Sequence, residues 1–385
     1  MTTVWIGGTS ALAATYFEEQ LDIATDAQKN GRSTTPRSFV LAAPHPPESS
    51  WIDDLSRSSS RYVPFDITCR LSIDEFFATL QEMKIAGCIS TIIFGMRASL
   101  IAGCEIDHLS MTNNIAYFLD TASVYFPELA GVLHVSSVAV MNHTQPQHML
   151  NEDAPLPPLA SYQSPYDVMK LTTEEVIAEA CQKNNLKSVQ LRISGIFSNE
   201  IGHNCIQMSA IRLQAYVGCY IRTPLDMNTG LNVCHAIRLL LARMEESPSS
   251  PMSRKGEDDE VDGPHRLRPI YYYTRPTIEP KPYGQNLVDY RRAHGIRVKV
   301  DIWEGFARLF LWAVIYCFGK LATLNKNFLC ILDNIAYLLT VSLVEHTFDC
   351  SRIREDFPEL TSAEETTFEG FARIKKRREE RARCD

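Results

Sequence analysis

The strongest constraint on the fold is the run from Gly131 to Gly195, where a strand, a helix and a second strand follow in close order. Residues 131–140 read Gly-Val-Leu-His-Val-Ser-Ser-Val-Ala-Val, a buried strand ending in two serines. Tyr-Asp-Val-Met-Lys at 166–170 belongs to a helix, and Leu-Arg-Ile-Ser-Gly-Ile-Phe at 191–197 is another buried strand. A Tyr and a Lys at i and i+4 share one helix face, so the ammonium favours the ionised phenol. Tyr166 is thereby a candidate proton donor and acceptor near neutral pH. Ser137, at the carboxyl end of its strand, sits where open α/β sheets bind ligands and would hydrogen-bond a substrate oxygen. The alternative is a surface helix with a solvated lysine. Against it stands the order of the parts: strand, serine, helix with Tyr and Lys, strand, all following an N-terminal strand-turn-helix.

That order resembles the extended short-chain dehydrogenase/reductase superfamily, in particular its 3β-hydroxysteroid dehydrogenase and sterol-4α-carboxylate 3-dehydrogenase branch. The resemblance implies a doubly wound parallel α/β sheet of Rossmann type with a smaller C-terminal substrate lobe. It implies Ser137 and Tyr166 as catalytic residues and Lys170 as the residue that also binds the nicotinamide ribose. Glu174 matches the acidic residue that commonly follows this lysine. No metal is implied.

The chain opens on a short apolar strand, Thr3 to Ile6, then a small-residue turn and a helix running toward Gln20. In an α/β chain this corner is where a dinucleotide pyrophosphate meets a helix N-terminus. The residues there are Gly7, Gly8, Ser10 and Ala13. The family's three spaced glycines are reduced to Gly7, with Ser10 and Ala13 at the other two positions, and a positive φ at Ser10 would be costly. The second strand, Ser38 to Ala43, ends in Ala42 and Ala43, where a carboxylate would bind the adenosine ribose. Arg57 and Arg61 follow, so the reading is NAD or NADP with a lean toward NADP. Arg61 to Thr68 resembles the family's third strand, with Asp66 as a cofactor contact near the adenine. A helix is expected from Ile73 to Lys84, an apolar strand over Cys88 to Gly95, and a helix over Asn113 to Tyr125.

Past the central stretch the pattern departs from the family at Ile193 and Ser198, where a proline and a glycine are usual. Asn232 and Val233 resemble a family helix start, and His235 reads as a packed helix histidine. Glu245 to His265, with its acidic run, is expected to be a mobile loop. Ile270 to Tyr273 reads as a strand and Tyr283 to His294 as a helix. The stretch from 306 to 344 contains two apolar segments, too short in uncharged length to span a bilayer, suited to a membrane interface or to a lid over an apolar pocket. Ser362, before Glu364 and Glu365, is a candidate N-cap for a last helix whose end is basic.

The 385 residues suffice for residues 1–200 as a dinucleotide-binding half and 201–385 as the substrate lobe. A net charge of -8 argues against a nucleic-acid surface. The 11 cysteines, scattered and without a Cys-x-x-Cys pair, read as reduced, mostly core thiols of an intracellular protein. The expectation is therefore a cytoplasmic NAD(P)-dependent oxidoreductase acting on a secondary alcohol or ketone of a large apolar substrate of sterol, steroid or terpenoid type, in secondary metabolism. Expected partners are that small apolar substrate, a second copy of the chain, and an intracellular membrane such as the endoplasmic reticulum touched peripherally. The alternatives are a reductase, isomerase or epimerase on another metabolite, or a binding or regulatory protein that kept the fold and lost catalysis.

Overall fold

The structure, a computed structural model, describes residues 2–8, 10–29, 37–47, 59–95, 108–142, 145–162, 164–197, 221–246, 267–277, 279–297 and 344–381. Six strands of the first 200 residues form the frame: β1 (Thr2–Ile6), β2 (Ser38–Ala43), β3 (Arg61–Pro64), β4 (Ile89–Phe94), β5 (Gly131–Ser137) and β7 (Lys187–Ile193). A seventh, β10 (Ile270–Tyr272), joins at the edge, giving the order β10-β7-β5-β4-β1-β2-β3. Every pairing in this sheet is parallel. The order reverses direction between β1 and β4, which places a crevice at the carboxyl ends of those strands. This is the doubly wound, Rossmann-like sheet expected from the sequence.

Parallel strands covered on both faces must be apolar throughout, and β4 and β5 are buried at every position. On one face lie α2 (Arg70–Glu82), α3 (His108–Tyr125) and α4 (Pro165–Lys183), packed through Phe76, Phe77, Ile115, Phe118, Met169 and Ile177. On the other lie α1 (Ala11–Lys29) and α5 (Gly230–Glu246), whose Leu12, Tyr16, Phe17, Val233 and Leu240 meet Trp5, Phe39 and Leu133 of the strands. Trp5, Tyr16, Phe17 and Phe39 form a set of edge-on and tilted ring contacts with centroids 5.0 to 6.4 Å apart.

The chain beyond residue 200 supplies both α5 and β10 to this layered unit. It also forms two small parallel pairs, β6 (Gln147–Leu150) with β11 (His346–Phe348), and β8 (Gly195–Phe197) with β9 (Met227–Thr229). Three more helices complete the described chain beside α6 (Tyr283–His294), namely α7 (Ser351–Asp356), α8 (Glu359–Ala363) and α9 (Thr367–Arg381). A third apolar cluster joins α6 and α9 through Tyr290, Phe371 and Ile374.

Several boundaries differ from the sequence reading. The first helix continues past Gln20 to Lys29, and the third strand stops at Pro64, so that Asp66 lies in a turn. Glu245 and Glu246 end α5; the remainder of the expected mobile loop, 247–265, lies outside the described residues, as do 306–343 of the apolar stretch. Ser362 does not cap the last helix. It lies inside α8, and Thr366 takes the role in a reciprocal box: the Glu369 backbone N–H donates to Thr366 Oγ1 at 3.3 Å, and the Thr366 backbone N–H to Glu369 Oε2 at 2.7 Å. Of the described cysteines, Cys181, Cys234 and Cys350 are buried, Cys69 and Cys88 exposed, and all five are free. Among the described residues no helix is long and apolar enough to cross a membrane.

Candidate active site

The site is built on the carboxyl end of β5 and the first turns of α4. Proline at the first position of α4 costs no hydrogen bond and presets its φ, and Asp167 adds an acid to the positive end of the helix. Tyr166 and Lys170 follow on one face, with the Lys170 Nζ 6.0 Å from the centroid of the Tyr166 ring. Tyr166 is half-buried against the α2, α3 and α4 apolar cluster, while Lys170 is almost wholly covered. Its ammonium lies 3.5 Å from the Val135 carbonyl, two residues before Ser137. Burial lowers Lys170 to about 8, against the opposing pull of the Glu174 carboxylate.

Ser137 ends β5 in extended conformation and caps the 3-10 turn Val138–Met141, its Oγ accepting from the Ala139 N–H at 3.2 Å. With that acceptor role filled, the hydroxyl hydrogen remains available as a donor to a substrate oxygen. The turn is held in place from several sides. Tyr162 donates its hydroxyl to the Val140 carbonyl, Gln147 donates to the Met141 and Asn142 carbonyls, and Asn142 donates to the Ser161 carbonyl at 3.0 Å. Asn142 closes the turn at a φ of 63°, a conformation asparagine tolerates better than most residues. Burial, with the Asp167 charge adding to it, pushes the Tyr162 phenol up to about 12, so it acts as a fixed neutral donor. Tyr162, Gln147 and Asn142 had no signal in the sequence, because their role is set by contacts across loops.

The dinucleotide corner keeps its shape with fewer glycines. The positive φ, 76°, falls on Gly7, and Ser10 is not among the left-handed residues. Ser10 instead caps α1, its Oγ accepting from the Ala13 N–H at 3.3 Å and its carbonyl from the Ala14 N–H at 3.0 Å. Ala13 is fully buried against the sheet, where a larger side chain would push α1 away. Gly8 is equally constrained: a Cβ there would stand 2.8 Å from the Trp5 carbonyl oxygen. The corner is therefore a tight turn delivering a capped helix N-terminus to the crevice.

At the outer end of the crevice the contacts are thinner. Ala42 and Ala43 are buried and carry no acid; their carbonyls accept from Gly7 N–H at 2.8 Å and Phe65 N–H at 3.0 Å. Asp66 is bound into its own turn, accepting from the Thr68 N–H at 2.9 Å and the Thr68 hydroxyl at 2.7 Å. Arg61 opens β3 opposite Val40, on the amino side of Ala43. Three residues of strand, about 10 Å, separate it from the carboxyl ends. Arg57 and Ser198 lie outside the described residues. Ile193 pairs in register with Ser137 at the end of β7. His235 is a helix residue, its Nε2 2.7 Å from Glu19. A cavity of about 460 Å³ on α1, α5 and α9, lined by Glu19, His235, Arg238 and Arg377 among others, shares no residue with this site.

Residues 49–219, just under half of the chain, match the model of the NAD dependent epimerase/dehydratase family. The match begins after the Gly7 to Ala13 corner and includes Ser137, Tyr166 and Lys170. No curated protein matches the chain. Among solved structures, the terminal R domain from the myxalamid PKS-NRPS biosynthetic pathway is similar at 15% identity and a TM-score of 0.61, covering 96% of this chain and 89% of that one. A dTDP-glucose 4,6-dehydratase from Bacillus anthracis, solved in complex with NAD, is similar at 11% identity and a TM-score of 0.59, covering 97% and 94%. A UDP-galactose 4-epimerase is similar at 11% identity and 0.57, covering 97% of each chain. These likenesses establish the fold. None of the three is named for a sterol or steroid.

Proposed function

We propose that the chain is an NAD(P)-dependent oxidoreductase that interconverts a secondary alcohol and its ketone. The observation that carries this reading is the buried Lys170 ammonium beside Tyr166, next to the strand that ends in Ser137. The family match supports the cofactor class. The residues present fit a dinucleotide at two of three places. The Gly7 turn and the N-terminus of α1 would take the pyrophosphate, and Lys170 would take the nicotinamide ribose hydroxyls. The adenosine ribose would meet Ala42 and Ala43, which offer no carboxylate to select against a 2′-phosphate. The nicotinamide would accept or return the hydride.

The chain's own residues would handle the proton. In the oxidative direction Tyr166, as phenolate, takes the hydroxyl proton while Ser137 donates to the same oxygen and holds it against the developing ketone. In reduction the proton returns from Tyr166 to the oxygen. Lys170, charged below about pH 8, favours the phenolate.

A large apolar substrate of sterol or terpenoid type is supported by Met149, Leu156 and Leu159, exposed on the segment that leads into Tyr162 and α4. A second reading, an epimerase or dehydratase on a nucleotide sugar, is supported by the family match and by the two sugar-nucleotide enzymes of the same fold. Loss of water would need a further acid and base near the leaving group. The turn after Ser137, Val138 to Met141, supplies neither.

The test is turnover of NAD or NADP at 340 nm with secondary alcohols of sterol and terpenoid type, and product analysis with UDP- and dTDP-hexoses, for wild type and Tyr166→Phe. The expected result is turnover in one panel, reduced at least ~100-fold in Tyr166→Phe. Equal rates for the two proteins would remove Tyr166 from the chemistry.

A further inference from the structure

Along α4, Lys170 has Tyr166 one turn before it and Glu174 one turn after. Glu174 is not left to Lys170. Arg192 of β7 grips its carboxylate with three contacts, Nε to Oε1 at 3.1 Å and to Oε2 at 3.2 Å, and Nη2 to Oε2 at 2.8 Å. Both side chains are buried, at 2% and 6% exposure. The remaining arm of the guanidinium, Nη1, donates to the Tyr272 hydroxyl at 3.0 Å, and the Tyr272 backbone N–H is fixed by Glu152 at 2.9 Å. Arg192 stands opposite Ser136 in the sheet register, so this pair fastens α4 to the strand beside the one that ends in Ser137.

A carboxylate engaged by a guanidinium through two parallel bonds has most of its field neutralised locally. We propose that Arg192 is a positioning residue for the site: by holding both oxygens of Glu174 it weakens that carboxylate's pull on Lys170 and leaves the ammonium directed at Tyr166. The inference rests on the reading of Tyr166 and Lys170 as the proton-handling pair. Among the described residues, Lys170 has Tyr166 and Glu174 on its own helix, the Val135 carbonyl and the neutral imidazole of His134 on β5, and, behind Glu174, Arg192 of β7 with Tyr272 of β10. Of these, Glu174 is the negative charge that pulls on Lys170. Released from Arg192, it would hold the Lys170 proton to higher pH and draw the ammonium away from the phenol.

The test is a pH titration of the full-length protein labelled with ¹³Cε-lysine, without cofactor or substrate. The Lys170 signal is identified by its loss in Lys170→Met. Wild type is expected to titrate at about 8. Arg192→Met should raise that midpoint by about one unit, Glu174→Gln should lower it by about one unit, and Arg192→Lys should restore the wild-type value. A merely structural Arg192 would leave the midpoint of Arg192→Met at the wild-type value. An unchanged or lowered midpoint in folded Arg192→Met would overturn the proposal; if that variant does not fold, Arg192→Gln takes its place, and an unchanged or lowered midpoint there overturns it. The titration needs no turnover, so failure of the redox reading would show instead as absent activity beside intact shifts.

Discussion

At the scale of single residues, the ground behind the site is unusually charged for a buried region, and His134 reports it. This imidazole is fully covered between β5 and α4, with Nδ1 2.7 Å from the Gln190 side-chain oxygen. Burial, and then the Lys170 and Arg192 charges, lower its pKa from 6.5 to about 3, against the Gln190 bond. The unfolded chain takes up this proton below 6.5 and the folded chain refuses it until about 3, so stability falls as pH drops through that window. Between pH 7 and 5 the loss amounts to about 2 kcal/mol. His134→Asn, which keeps a donor toward Gln190, should lose about 2 kcal/mol less than wild type over the same interval in urea unfolding at the two pH values. Equal losses would show that His134 already accepts a proton in the folded protein. Ser137, Tyr166 and Lys170 were legible in the sequence because helix spacing and strand ends are local properties. The Glu174 and Arg192 pair was not, because the two lie 18 residues apart on different elements and only the packing of α4 on the sheet brings them together.

Among the elements, strands and helices were readable where burial on both faces or a helical period left one choice. Tyr283–His294 came out as expected, and Ser38–Ala43 likewise. Errors gathered at helix starts, where side-chain oxygens compete for the same role. Ser362 followed by Glu364 and Glu365 satisfies the cap pattern, yet Thr366 and Glu369 satisfy it better, since threonine and glutamate three apart can serve each other's N–H. Thr366→Ala should therefore cost about 1 kcal/mol in urea unfolding, and Ser362→Ala close to nothing. The reverse order would return the cap to Ser362. The same competition explains Ser10. Against a glycine pattern Ser10 is a loss; in the structure it caps α1, and the left-handed φ that favours glycine falls on Gly7.

For the whole molecule, the sequence carried the fold class but not the way the last third of the chain returns to the sheet. Strand β10 adds to β7, and Asp226 gathers Arg275 at 2.6 Å, the Thr274 hydroxyl at 2.7 Å and the Phe348 N–H at 2.9 Å into one fully buried knot. Those contacts join residues 48 to 122 positions apart, so no local pattern announces them. They pin β9, the end of β10 and β11 together, above the carboxyl edge where β5 and β7 finish. The account depends on that edge holding a dinucleotide although Ala42 and Ala43 replace an acid and Ser10 and Ala13 replace glycines. A chain that kept the fold without the cofactor would look the same at the scale of strands and helices. Isothermal titration of the folded full-length protein with NAD, NADH, NADP and NADPH separates the two most directly. The account predicts saturable one-to-one binding of one oxidised and reduced pair. Absence of binding by all four would contradict it and leave a ligand-binding protein on a Rossmann-like frame.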